Sequence, residues 1–202
     1  MRKICSILLC FLMATLAAGC DPYKEGMKLL EQGKYEAAAE FFYQAVKDNP
    51  EDPRAYHQLG YSYTRLKMYE EAIKQYKKAL EIKPDYFEAR LNLGTVCLKA
   101  RKKQQAVDEL KKAVELNPDN ETAHINLAWA YYYNFNLEEA EQHREKAVEL
   151  SGGERQYKDL KEWLGDQRKY LEKRKEREKQ AKNSEEPEGA GASAGSTATD
   201  SP

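Results

Sequence analysis

Cysteine is scarce in this chain, and almost none of it can pair. Of four cysteines in 202 residues, Cys5, Cys10 and Cys20 fall within the first stretch, and Cys97 stands alone beyond them. Once that stretch is set apart, an internal disulfide is excluded. Cys97 reads as a small buried hydrophobe. Histidine is scarcer still. His57, His124 and His143 lie without the spacing of metal ligands, so no metal is expected. Walker-type phosphate loops, G-x-S-x-G and H-E-x-x-H are all missing. With no residue set for catalysis, the chain is expected not to be an enzyme and to need no cofactor. A surplus of one charge is missing too: 33 Lys and Arg face 34 Asp and Glu, a net charge of −1. No overall field draws it to nucleic acid, and no nucleic-acid partner is expected. Finally, no apolar run reaches the roughly 20 residues of a comfortable bilayer span.

The longest uncharged run does sit somewhere telling. Arg2 and Lys3 precede it, Ile4 to Ala18 carry no charge, and small residues lead into Cys20. A positive start, a short apolar middle and a small-residue end make a secretory signal peptide, residues 1–19. Plain secretion with a spare cysteine, or an uncleaved short anchor, uses the same residues. "LAAGCD" resembles the lipobox of bacterial lipoproteins, with Gly19 before the cysteine and Leu16 one step earlier than its usual place. That resemblance implies lipid on Cys20 and a membrane-anchored protein of the cell envelope facing the periplasm. Asp21 after the cysteine slightly favours the inner membrane over the outer.

Beyond Cys20 the chain is charged yet strongly patterned. Leu59, Leu93 and Leu127 recur every 34 residues. Gly60, Gly94 and Ala128 keep the same step, as do Ala72, Ala106 and Ala140, then Ala79, Ala113 and Ala147. Pro50, Pro84 and Pro118 close the units, and Ala38, Phe42 and Ala45 extend the register backward. Within a unit, Tyr56, Leu59, Tyr63 and Leu66 step by three and four, as do Ala72, Tyr76, Ala79 and Leu80. Each unit is therefore two amphipathic helices. Small residues stand where the pair approaches most closely. The pattern resembles the tetratricopeptide repeat (TPR) family, which implies an all-α, superhelical solenoid of helix pairs. Residues 20–152 divide into units of about 21–52, 53–86, 87–120 and 121–152.

Some positions depart from the period. Glu25 stands where later units have leucine, tolerable in an opening helix. Unit four has His124 for Tyr56 and Arg144 for Tyr76, so looser packing is expected there. Gly33 suits the turn in unit one, but Lys67, Arg101 and Phe135 fill the equivalent place, which leaves the geometry of those turns open. Beyond Gly152 and Gly153, residues 153–182 read as a helix. Its stripe of Tyr157, Leu160, Leu164, Gln167 and Leu171, with Trp163 alongside, suits a cap over unit four. Its later half is a solvated mixture of Lys, Arg and Glu. Residues 183–202 are low-complexity and expected to be disordered.

In a superhelix of this family the first helices line a concave groove. The resemblance then implies a peptide-binding set: Tyr23 and Met27 in unit one; His57, Gln58, Tyr61 and Arg65 in unit two; Asn92, Thr95 and Lys99 in unit three; Asn126, Trp129, Tyr132 and Tyr133 in unit four. Gln58, Asn92 and Asn126 recur at one place, and an amide suits a peptide backbone because it both donates and accepts. The rings offer large contact area at small entropy cost. The expected function is a lipid-anchored scaffold that binds an extended peptide or partner protein and assists assembly of an envelope complex such as pilus, secretin, outer-membrane or cell-wall machinery. The rival is a structural, self-associating envelope protein, a homo-oligomer without a peptide ligand.

Overall fold

The structure is a computed structural model that describes residues 21–153 and 157–185. Residues 1–19, where a signal peptide is expected, Cys20 and the low-complexity end lie outside the described residues. Among those described, all regular structure is helical. Unit one holds α1 (Pro22–Glu31) and α2 (Tyr35–Asp48). Unit two holds α3 (Pro53–Arg65) and α4 (Tyr69–Ile82). Unit three holds α5 (Phe87–Lys99) and α6 (Lys103–Leu116). Unit four holds α7 (Glu121–Tyr133) and α8 (Leu137–Ser151), and α9 (Lys158–Glu185) comes after. Successive helices pack in chain order, and α9 lies against α8. This is an all-α solenoid.

The helix starts reflect side-chain chemistry. Asp21, Asp52 and Asn120 accept a backbone N–H from the first turns of α1, α3 and α7 at 3.0, 2.9 and 2.8 Å. Such a cap contributes about 1 kcal/mol. Pro22 and Pro53 sit in the first turn, where the missing N–H has no helical partner to lose.

Each first helix ends in the same turn. Lys34, Met68, Lys102 and Asn136 donate their N–H back to Leu29, Tyr63, Cys97 and Tyr131 at 2.9, 2.9, 2.8 and 3.0 Å. The preceding residue is left-handed in every unit: Gly33 at φ 71°, Lys67 and Arg101 at 61°, Phe135 at 63°. The turn thus keeps one geometry with glycine and without it. The returning hydrogen bonds hold three non-glycine residues in a conformation that disfavours a Cβ.

The core repeats with the same step. Leu59, Leu93 and Leu127 are each 1% exposed, and Phe42, Tyr76 and Leu110 are fully buried. Leu59 packs into the cluster of Phe42, Ala38 and Ala39 from unit one, so each unit closes on its predecessor. Leu93 and Leu127 share a second cluster with Tyr76 and Leu110. Every such leucine contributes about 1.5–3 kcal/mol by burial. Glycine marks the tightest approaches. A Cβ on Gly26 would lie 2.8 Å from the Phe42 ring, and one on Gly60 would lie 2.9 Å from the Tyr76 ring. On Gly94 it would press closer still on Leu110.

Unit four is not loosely packed, contrary to its sequence. His124 and Arg144 are 5% and 3% exposed. Arg144 donates to Glu141 at 2.7 Å. The two imidazoles of His124 and His143 meet Nδ1 to Nδ1 at 2.9 Å, and His124 Nε2 donates to the Pro118 carbonyl at 2.8 Å. Polar pairing replaces apolar filling. The α9 stripe then covers the unit: Leu160 and Leu164, each 1% exposed, pack on Ala128, Leu137 and Ala140. Tyr157 is buried beside them and its hydroxyl donates to Glu121.

Candidate functional site

The first helices α3, α5 and α7 meet side by side, and the recurring amides sit where they meet. Asn92 Nδ2 lies 2.9 Å from His57 Nε2, across from α5 to α3. Asn126 Nδ2 donates to Thr95 Oγ1 at 3.0 Å, across from α7 to α5. Thr95 in turn donates to the Leu91 carbonyl at 2.7 Å. Each amide is thus held by the preceding unit. Both residues are half-buried, as is Gln58. A carboxamide has two N–H donors and an oxygen. Within the described residues neither oxygen is used, so each amide keeps an acceptor and a second donor.

His57 lies deeper than its neighbour in sequence. It is 8% exposed, with its ring 5.7 Å from that of Tyr76 and 5.1 Å from that of Tyr86, whereas Tyr56 is half-buried. Burial lowers its pKa to about 4, against a weaker opposing pull from Glu88. It is neutral, and its part is to position Asn92. His143 is also lowered to about 4, first by burial and then by the neighbouring His124.

The remaining expected residues fall into two ring groups. At the start, Tyr23 meets Phe42 edge-on at 5.6 Å and lies under the Arg54 guanidinium at 5.4 Å, and Met27 packs in the unit-one core. Arg65 stacks on Tyr35 at 4.4 Å and donates to the Tyr61 hydroxyl at 2.9 Å. At the far end, Trp129 is ringed by Tyr132 at 5.7 Å, Tyr133 at 5.9 Å and Trp163 at 5.0 Å. Trp163 comes from α9, so the end helix supplies one wall of this group. The helical stripe of α9 places Trp163 beside the cap, but its contact with Trp129 emerges only in the fold. Lys99 is exposed and faces a cleft of about 560 Å³ together with Leu98, Arg101, Lys103 and Tyr133. Arg101 and Lys103 carry no repeat signal beyond their turn position, and nothing in the sequence marks them as site residues. Cys20 lies outside the described residues.

Burial pushes the Cys97 thiol up to about 11, so it is protonated and unreactive at neutral pH. Among the described residues no group of three or more His, Cys, Asp or Glu could hold a metal ion. No described helix is long and apolar enough to cross a membrane. What the face provides is a row of oriented amides between two sets of rings.

Comparison with known proteins agrees with the architecture. A double mutant of MamA RS-1 superposes with a TM-score of 0.61 at 28% identity, over 66% of this chain and 77% of that one. MamA 41-end from Desulfovibrio magneticus RS-1 gives 0.63 at 24% identity, over 76% and 95%. The first TPR of Spaghetti (RPAP3), bound to the HSP90 peptide SRMEEVD, gives 0.54 at 23% identity over 55% and 88%; these last two likenesses concern the fold alone. No curated protein matches the chain. A tetratricopeptide repeat family model matches residues 29–75 and 98–164, and a TPR repeat model matches residues 60–100. The chain belongs to the tetratricopeptide repeat family.

Proposed function

We propose that this repeat protein is a non-catalytic interaction scaffold that holds an extended segment of a partner protein along its first helices. The observation that carries this reading is the orientation of Asn92 and Asn126. Each is fixed by a bond to the unit before it, and each keeps an oxygen and an N–H for a peptide backbone. A backbone presents donors and acceptors at a regular step, which a regular row of amides can match. Fixing them beforehand lowers the ordering cost of binding. The rings of Tyr61, Trp129, Tyr132 and Tyr133 supply contact area at either side.

The same proposal includes the membrane. Lipid on Cys20 places the anchor next to Asp21, the residue that caps α1. No linker then separates bilayer from solenoid, and unit one is the membrane-proximal end. Such a scaffold, facing the periplasm, serves assembly of an envelope complex.

The test is a photoreactive residue at Tyr61, introduced in cells with and without the double change Asn92→Ala and Asn126→Ala. Each lost hydrogen bond costs about 0.5–1.5 kcal/mol, so the two together lower partner capture by about five- to 150-fold. The helical CD signal stays, and the melting midpoint drops slightly because His57 and Thr95 lose a partner. Undiminished crosslinking in the double variant would sink the amide row as a binding element.

A further inference from the structure

We infer that the cleft between the α5–α6 turn and the end of α7 receives a carboxylate-rich stretch of the partner protein. This rests on the proposed capture of a partner segment and adds the chemistry of that segment. The cleft is lined by Leu98, Lys99, Arg101, Lys103 and Tyr133. Three of its five lining residues are cations, and none is an acid.

Several cations elsewhere lie against an acid. Arg54 meets Asp52, Arg90 meets Glu109, Arg144 meets Glu141, and Lys78 meets Glu81. Lys102, inside the same turn, reaches back to Glu70 on α4. Lys99, Arg101 and Lys103 form no ion pair among the described residues. Three cations gathered around one cleft whose lining holds no acid make that cleft locally positive.

Helix ends explain one of the three and not the others. Lys99 closes α5, where a cation suits the carbonyl end of the helix dipole. Lys103 opens α6, the end that disfavours a cation, and no acid occupies that first turn. The equivalent helices α4 and α8 begin with Glu70, Glu71 and Glu138, Glu139. Lys103 gains instead from the Phe135 ring, 5.4 Å from its ammonium. Arg101 is carried on the left-handed turn residue, which two backbone bonds fix: Arg101 N–H to Leu98 at 3.0 Å and Lys102 N–H to Cys97 at 2.8 Å. The opposite wall, Tyr133, stacks on Trp129 with the rings 26° from parallel. The cations thus rise from a stiff frame.

One unit earlier, Arg65 and Lys67 hold the places equivalent to Lys99 and Arg101, and neither forms an ion pair among the described residues. The positive edge therefore continues along the turns of units two and three. Lys99 stands two helical turns after Asn92 on the same face of α5, roughly 10 Å along it, so one extended segment can span the amide and the cleft. Complementary charge of this kind selects partners and speeds encounter.

The probe is a short poly-glutamate peptide, acetylated and amidated so that only its side chains are charged. Its binding to the detergent-solubilised full-length protein is compared with that of the poly-glutamine analogue. Lys99→Glu, Arg101→Glu and Lys103→Glu together should weaken poly-glutamate binding by about ten-fold or more, given modest contributions from each exposed pair. Reversing Lys74, Lys77 and Lys78 on α4 changes net charge equally and should have little effect. The neutral triple variant Lys99→Gln, Arg101→Gln and Lys103→Gln guards against misfolding by reversal and should lose most of the same affinity. Equal binding of poly-glutamine, or equal loss from the α4 reversal, overturns the inference. So does binding of anionic phosphatidylglycerol vesicles, but not peptide, through these three residues. If the turn variants leave Tyr61 crosslinking intact while Asn92→Ala with Asn126→Ala abolishes it, the scaffold reading stands and the acidic ligand falls.

Discussion

Units one to three and unit four share a backbone but close their helix pairs differently. In the first three, a glycine on the first helix admits a large side chain from the second: Gly26 with Phe42, Gly60 with Tyr76, Gly94 with Leu110. In unit four the corresponding pair is Ala128 and Arg144. Arg144 is turned to Glu141, and two histidines join the helices beside it. Apolar sealing there is supplied by a separate helix, through Leu160 and Leu164. An interior unit is covered by its successor and needs no help. The last unit has no successor, and a helix outside the repeat takes that part.

The sharpest way to break this comparison is to weaken the cover. Leu164→Ala leaves a hole against Ala128, Leu137 and Ala140 and should cost about 2–5 kcal/mol. Because a solenoid's stability is nearly a sum over neighbours, the loss should concentrate in unit four. Hydrogen exchange should rise in α7 and α8 well before α1 to α4. Uniform acceleration along the chain would mean that the cover supports the whole stack, and the distinction between end and interior would fail.

A smaller effect tests the interior side. Gly94→Leu forces a side chain into the space of Leu110, and overpacking of this kind costs about 1–3 kcal/mol. The chemical unfolding midpoint should fall, with protection lost first in α5 and α6. An unchanged midpoint would show that α5 and α6 can separate at no cost, and that the close approach at glycine does not hold the pair.

The repeat was legible because burial is demanding. Leu59, Leu93 and Leu127 must be apolar in every unit, so their spacing survives in the sequence. The stripe of α9 was legible for the same reason. Adjacent positions on a helix are harder to tell apart when both carry rings. Tyr56 and His57 stand one residue apart, and only the gap between the Tyr76 and Tyr86 rings selects His57 for burial. The amides recur visibly, but their partners do not. His57 and Thr95 occupy different register positions, so the bonds that fix Asn92 and Asn126 keep no period. Of the cationic cleft only Lys99 was marked in the sequence, and the rest was hidden for another reason. Lysines in a turn look solvated, and only the fold brings Tyr133 of the next unit opposite them.

The smallest expected effect concerns a feature that all four units share. Gly33 adopts its left-handed turn without a Cβ, whereas Lys67 does so with one and is exposed, making no ion pair among the described residues. Left-handed backbone costs a residue with a Cβ about 1–2 kcal/mol, and glycine gives back part of that through the freedom of the unfolded chain. Lys67→Gly should therefore stabilise unit two by about 0.5–1 kcal/mol, read as a higher melting midpoint. The same change at Arg101 should stabilise the fold equally while removing a cation from the cleft. A pair of variants that gain equal stability, yet lose poly-glutamate binding unequally, Arg101→Gly the more because it lines the cleft and Lys67 only extends its edge, would separate what the turn does for folding from what its side chain does for recognition. If neither gains, the returning hydrogen bonds already absorb the strain, and lysine at this place costs the fold nothing.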